Sequence, residues 1–398
     1  MSGTALLSRP QSLSLVEHAG GIYLDHQATA RPRPQVIEAV THFMSSHFGN
    51  ANASANQRGR LSRRYLDQFR ETTASLLGDR ADALLFTSGA TESNNFVLSS
   101  EGRRQDAHLA VSAIEHKCVL ESAARARQLG AKLSILPVTP EGIVDLDAVR
   151  RVLDKGATLV SVMAANNEIG TLQPIREISS LCKSAGARFH TDAAQAVGKS
   201  CIDFSAMGID YLTFTAHKFG GPQGIGGLMC GPQVIERLEP LLVGGGQERG
   251  LRSGTTPLAL CAGVAAAALV LNHEMDAEIG RMRRLRDRLV EALQQMGPFF
   301  SNSDRANTLC NNVNGGFSGI PALMLMRRAP ELHFSVGSAC TSGAGGGGAG
   351  SHVLKAIGLA QEKIDASFRL SVGWCTTDEE IDQAIDAFRR ALLTFPRR

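Results

Sequence analysis

Short apolar runs alternating with stretches of helical period constrain this chain more than any other feature. After an opening run at 21–25, helical periodicity covers 36–48 and 63–77. Further apolar runs recur at 83–86, 108–112, 132–137, 159–164, 188–191, 211–215 and 227–230, with helical stretches at 117–129, 146–153 and 175–185 between them. This rhythm predicts an α/β fold whose mostly parallel sheet is covered by helices on both faces. Ligands in such folds bind outside the carboxyl ends of the strands, so the chemistry is expected on the turns that follow them.

At 398 residues the chain exceeds what one core usually holds, which predicts a large domain and a smaller one. A small-residue helix at 257–271 gives way to a charged one at 278–295, setting the boundary near residue 275. We expect a large domain over 25–275 and a smaller α+β domain built from 1–24 plus 276–398. The one low-complexity stretch, Gly343 to Gly350, is almost all glycine. No apolar stretch is expected to span a bilayer, and a net charge of +3 with scattered signs argues against a nucleic-acid surface. The start lacks the pattern of a secretory signal, so a cytoplasmic protein without a membrane role is expected. The 8 cysteines are dispersed, with neither zinc spacing nor a disulfide framework, and no metal site is expected.

Two strand ends stand out. The run ending at His190-Thr191 delivers Asp192, and the run ending at Thr215 delivers Ala216, His217 and Lys218. A carboxylate and an amine so presented suit pyridoxal phosphate, which needs an amine for covalent attachment and an acid at its pyridine nitrogen. Taken singly, each is also an ordinary cap or loop residue. Thr87-Ser88-Gly89-Ala90-Thr91-Glu92 follows a strand and opens a helix, as a phosphate cradle or a plain capping box would. Glu115-His116-Lys117 and Asn166-Asn167-Glu168 also follow strands. One site explains their shared position more economically than five separate coincidences.

The segments 86–95, 166–170, 190–195, 216–218, 244–255 and 337–342 resemble, in order, those of the cysteine desulfurases of the class V aminotransferase family. The likeness runs from about Tyr23 to Asp382. It implies the pyridoxal-phosphate transferase fold of type I, with a seven-stranded sheet. The segment around Cys340 and the glycines after it resemble group I of that family, whose nucleophile rides on a long loop.

The resemblance implies roles residue by residue. Lys218 would bind the cofactor and serve as base at the substrate α-carbon, and Asp192 would pair with the pyridine nitrogen. Gln195 and Asn167 would contact the phenolic oxygen or orient the substrate, while His116 would stack on the ring and handle the thiol proton. Ala90, Thr91, Thr215 and His217 would hold the phosphate, joined by Thr255 from a neighbouring subunit, which implies a homodimer. Arg369 would clamp the substrate carboxylate. L-cysteine would become L-alanine as Cys340 takes the sulfur as a persulfide for an acceptor protein, with no direct contact to nucleic acid.

The sequence also departs from the family. Asn50 to Gly59 lacks the usual proline, arginine and histidine, His26-Gln27 replaces a small or aromatic pair, Ala164-Ala165 replace larger or polar residues, and Gln223 stands where lysine is frequent. These departures predict a roomier pocket and a desulfurase serving a dedicated sulfur-modification pathway rather than general iron-sulfur supply. A selenocysteine or other C–S lyase would keep Lys218 and Asp192 without needing Cys340. An aminotransferase would leave Cys340 without purpose, and a non-catalytic scaffold would not explain why every matched catalytic position is present.

Overall fold

A computed structural model describes residues 20–336 and 350–395. Its centre is a seven-stranded sheet, whose strands we number in chain order: β1 (Leu84–Thr87), β2 (His108–Ser112), β3 (Lys132–Leu136), β4 (Leu159–Ser161), β5 (Arg188–Asp192), β6 (Tyr211–Thr215) and β7 (Gly226–Cys230). Their spatial order is β1-β7-β6-β5-β4-β2-β3, and all pairings are parallel except those of β7, which runs antiparallel to β1 and β6. The apolar runs are near-continuous because helices cover both faces, so alternation of polar and apolar residues is not needed. Every residue of β1, β2, β6 and β7 is buried.

Parallel register sets the site. Asp192 ends β5 opposite Thr213 of β6, and the 3-10 turn Ala216–Lys218 begins immediately after β6. The two strand ends therefore open side by side at the same edge of the sheet.

The helix Leu258–Gln295 runs unbroken for 38 residues. Its first half, rich in alanine, packs against the Pro34–Ser46 and Gln57–Ser75 helices, and its second half joins a separate apolar core. That second core contains Ile22, Leu24, Leu285, Leu289, Phe368 and Phe388. By length and composition this helix is apolar enough to cross a membrane, contrary to the expectation that no such stretch exists. Half of its most apolar window is buried against the protein, which accounts for that composition.

The second core backs a four-stranded sheet in the order Ser335–Val336, Ser367–Ser371, Asn312–Phe317 and Phe299–Ser301. The opening run forms only a two-residue strand, Ile22–Tyr23, parallel to Leu332–His333. Beyond it, Asp25 bridges to Ser371, carrying the chain from the small sheet toward the edge of the large one. Cys340 and the glycine tract up to position 349 lie outside the described residues.

Candidate functional site

A cavity of about 560 Å³ lies at the carboxyl edge of the large sheet. Ala90, Thr91, His116, Asn167, Asp192, Gln195, Thr215, His217, Lys218 and Arg369 all line it. Thr255 is exposed and does not line the cavity of its own chain, and Cys340 falls outside the described residues.

Lys218 directs its Nζ to the backbone carbonyls of Gln27 and Ala28, at 2.6 and 2.7 Å. The carbonyl of Gln27 also receives Gln195 Nε2 at 3.0 Å. Gln27 is thus a hub of the site, and its own side chain turns away to accept from Asn312 at 2.7 Å. Gln27 and its neighbour His26 are both buried, and burial lowers the His26 pKa to about 4, with Lys199 and Arg31 adding to the effect.

Asp192 is 4% exposed. One of its oxygens accepts from Asn94 Nδ2 at 2.6 Å and the other from the Ala194 amide at 2.9 Å. These two bonds fix the plane of the carboxylate. His116 caps the Lys117–Gln128 helix, its Nδ1 accepting from the Cys118 amide at 3.2 Å. Burial lowers its pKa and Lys218 lowers it further, while Asp192 acts in the opposite direction. The adjoining Glu115 is buried and driven strongly upward by desolvation, and its Oε1 accepts from the Met163 amide at 2.7 Å.

The phosphate-cradle motif opens the Ala90–Gly102 helix, whose first-turn amides have no acceptor within the helix. Gly89 precedes it at φ +143, and a Cβ there would lie 3.3 Å from Thr215 Oγ1. Backbone amides, a hydroxyl and a glycine-made space therefore converge at a helix N-terminus, the arrangement that suits an anion. His217 borders this corner and holds Thr29 Oγ1 at 3.1 Å, with its pKa lowered to about 4 by burial and by Lys218 and Lys199. Glu92, in the same helical turn, is neutralised by Arg252 at 2.8 Å.

Arg369 enters from the small sheet and is 3% exposed. Its Nη1 donates to the Asn167 carbonyl at 2.7 Å, and its Nη2 donates to Asp25 at 2.5 Å and to Ser335 at 3.2 Å. The Asn167 turn is shaped by Asn166, whose Oδ1 accepts from the amides of Glu168 and Ile169.

Asp25, Gln27, Thr29 and Asn94 also shape the site, although no sequence motif assigns them a role. Asn94 sits inside a motif quoted for its phosphate-binding start, and its helical spacing from Ala90 carried no sign that it would reach Asp192. Among the departures, Asn56 is explained locally. It caps the Gln57–Ser75 helix, its Oδ1 accepting from Gly59 at 2.8 Å. Ala165 and Gln223 line the cavity, and Gln223 donates to Thr29 Oγ1 at 3.3 Å.

This site and fold have known counterparts. A family model described as aminotransferase class-V matches residues 22–384, and the chain belongs to that family. It is 37% identical over 368 residues to a protein named cysteine desulfurase IscS from Rickettsia bellii, covering 92% of this chain and 89% of that protein. A solved NifS-like protein superposes with a TM-score of 0.88 at 31% identity, over 94% of this chain and all of that one (100%). A structure described as SspA in complex with cysteine gives a TM-score of 0.77 at 32% identity, over 89% of this chain and 100% of that one. The fold is that of the pyridoxal-phosphate transferases of type I.

Proposed function

We propose that this chain is a pyridoxal-phosphate-dependent cysteine desulfurase, converting L-cysteine to L-alanine and passing the sulfur to Cys340. The observation that carries this reading is the meeting of Lys218, Asp192 and Arg369 at one cavity, in a chain similar along most of its length to proteins named as cysteine desulfurases.

The residues fit the cofactor. Gln195 Oε1 is buried without a partner among the described residues, and the Gly89 corner would be filled by any larger side chain. Lys218 would hold the cofactor through its amine and Asp192 would face the ring nitrogen. His116 would lie on the ring, Gln195 and Asn167 near its phenolic oxygen, and Ala90, Thr91, Thr215 and His217 around the phosphate. When bound, pyridoxal phosphate supplies a carbonyl that condenses with amines and a protonated ring that accepts electron density from the substrate α-carbon.

The protein's own groups then divide the work. Arg369 binds the substrate carboxylate, and Lys218 takes and returns the α proton. His116 manages a proton near the substrate sulfur. Cys340 supplies the thiolate: a new S–S bond forms as the substrate Cβ–S bond breaks, the bonding pair stays with the carbon skeleton, and proton uptake yields alanine. Atoms balance as cysteine plus enzyme thiol to alanine plus enzyme persulfide.

The reading includes a cytoplasmic homodimer in which Thr255 completes the phosphate site of a second copy. The exposed apolar side chains Ile37, Met44 and Leu269, on neighbouring helices, support such an interface. It also takes 25–275 as the cofactor domain and 1–24 with 276–398 as the smaller one, supported by a distinct apolar core in each part. The sulfur is destined for a dedicated acceptor protein, and strong stimulation by a general iron-sulfur scaffold would count against that assignment.

Mass spectrometry of the protein after exposure to L-cysteine tests the central claim. One added sulfur on Cys340 together with released alanine is expected. Alanine produced at full rate by Cys340→Ser would instead establish a C–S lyase that does not use this thiol.

A further inference from the structure

Beneath the cavity, four side chains form a continuous run. Asn94 is fully buried and its amide nitrogen donates in two directions, to Asp192 Oδ2 at 2.6 Å and to Cys118 Sγ at 3.3 Å. The Cys118 sulfur lies 2.9 Å from His116 Nδ1. That ring nitrogen already accepts from the Cys118 backbone amide, so it carries no hydrogen in the neutral ring. The thiol is therefore the donor in the sulfur–nitrogen contact. Burial pushes this thiol up to about 12, with the Asp192 charge acting the same way, so it keeps its proton at neutral pH.

We infer that Asn94 and Cys118 are positioning residues that hold His116 as the tautomer protonated on Nε2 and tie its orientation to that of Asp192. No sequence motif assigns a role to either residue. The inference rests on the proposed reaction only for its consequence: neutral His116 offers a proton to the substrate side and does not accept one there. Asn94 makes the coupling physical, since a single amide group spans the carboxylate and the thiol. Rotation of the Asn94 side chain would disturb both bonds together.

The charges facing His116 come from several elements. Asp192 at the end of β5 favours its protonation, while Lys218 after β6, His352 of the His352–Ala356 helix and Lys117 of its own helix oppose it. The S–H donor adds to the opposition because it bonds only the unprotonated Nδ1. Removing that donor should raise the titration midpoint of the ring.

The test is nitrogen NMR of histidine-labelled, cofactor-free protein without substrate, with the His116 signal assigned by its loss in His116→Gln. The expected result is a ring protonated on Nε2, with a midpoint that rises by about half a unit to one unit in Cys118→Ala, the worth of one modest hydrogen bond. Cys118→Ser restores the hydroxyl donor and should return the midpoint toward the original. Asn94→Ala should raise it in the same direction. A proton found on Nδ1, or a midpoint unmoved in Cys118→Ala while Cys118→Ser folds normally, overturns the inference. Failure of the desulfurase reading shows separately, as absent alanine with these signals intact.

Discussion

Asp25 and Arg369, 344 positions apart in the chain, form an ion pair at 2.5 Å between a carboxylate just past the first strand and a guanidinium in the small sheet. The arginine is almost entirely buried, so this partner offsets the cost of taking its charge out of water. Ser335, directly opposite Arg369 in the sheet register, donates to the second Asp25 oxygen at 2.7 Å and completes the arrangement. Asp25→Ala strands the guanidinium and is expected to cost roughly 3–5 kcal/mol of stability. The shift of the urea midpoint measures it, and Asp25→Ala combined with Arg369→Met should cost less than the sum of the single changes.

Arg369 itself should matter chiefly for holding substrate. Replacing it by methionine is expected to raise the KM for L-cysteine by about 30-fold, corresponding to about 2 kcal/mol for a charged hydrogen-bond pair, with a smaller change in kcat. Steady-state alanine release at varied L-cysteine provides the comparison. Equal losses in kcat and unchanged KM would speak against a carboxylate clamp.

Lys218 is already held toward the cavity by the Gln27 and Ala28 carbonyls. Lys218→Ala should purify without a visible absorption band and release no alanine. A retained band of normal intensity would move the attachment point to another amine.

Gly89 occupies a backbone conformation that other residues adopt only under strain, and its missing Cβ leaves space beside Thr215. Gly89→Ala is expected to weaken retention of pyridoxal phosphate about tenfold or more, through strain and crowding at the anion corner. Equilibrium dialysis reads this directly, and unchanged retention would separate that corner from the phosphate.

A pH prediction follows from Lys199, which is buried with its amine donating to the Gln195 carbonyl at 3.1 Å. Burial lowers its pKa from 10.5 to about 7, with Lys218 contributing in the same direction. Between about 7 and 10.5 the unfolded chain binds more protons than the folded one, so this group makes stability rise with pH across that window and contributes no slope below it. Lys199→Met should flatten the rise and stabilise the protein at neutral pH by a few kcal/mol, on the order of the shift converted to free energy. Denaturant midpoints between pH 7 and 10 check the slope, and an unchanged profile would show that the amine is not the source.

Much of the cofactor side was legible because each strand carries its own turn. Asp192 ends β5, Lys218 follows β6, and His116 follows β2 with only a short connection, so local pattern alone places them at one edge. The mostly parallel sheet was legible for the same reason, although the antiparallel course of β7 was not, since a five-residue buried run looks alike in either direction. The sequence at Leu258–Gln295 suggests two segments because its composition changes midway, whereas the backbone runs as one helix.

What the chain alone determined, then, was a set of strand-end chemistries, fixed by residue type and by the rule that parallel strands present their carboxyl ends together. Only the tertiary structure decided which distant groups hold those residues in place: Asp25 on Arg369, the Gln27 carbonyl on Lys218 and Gln195, and Asn94 between Asp192 and Cys118. The physical reason is that hydrogen bonds and ion pairs act over a few ångströms in space, and chains meeting at a domain edge bring together partners whose separation along the sequence carries no trace of the contact.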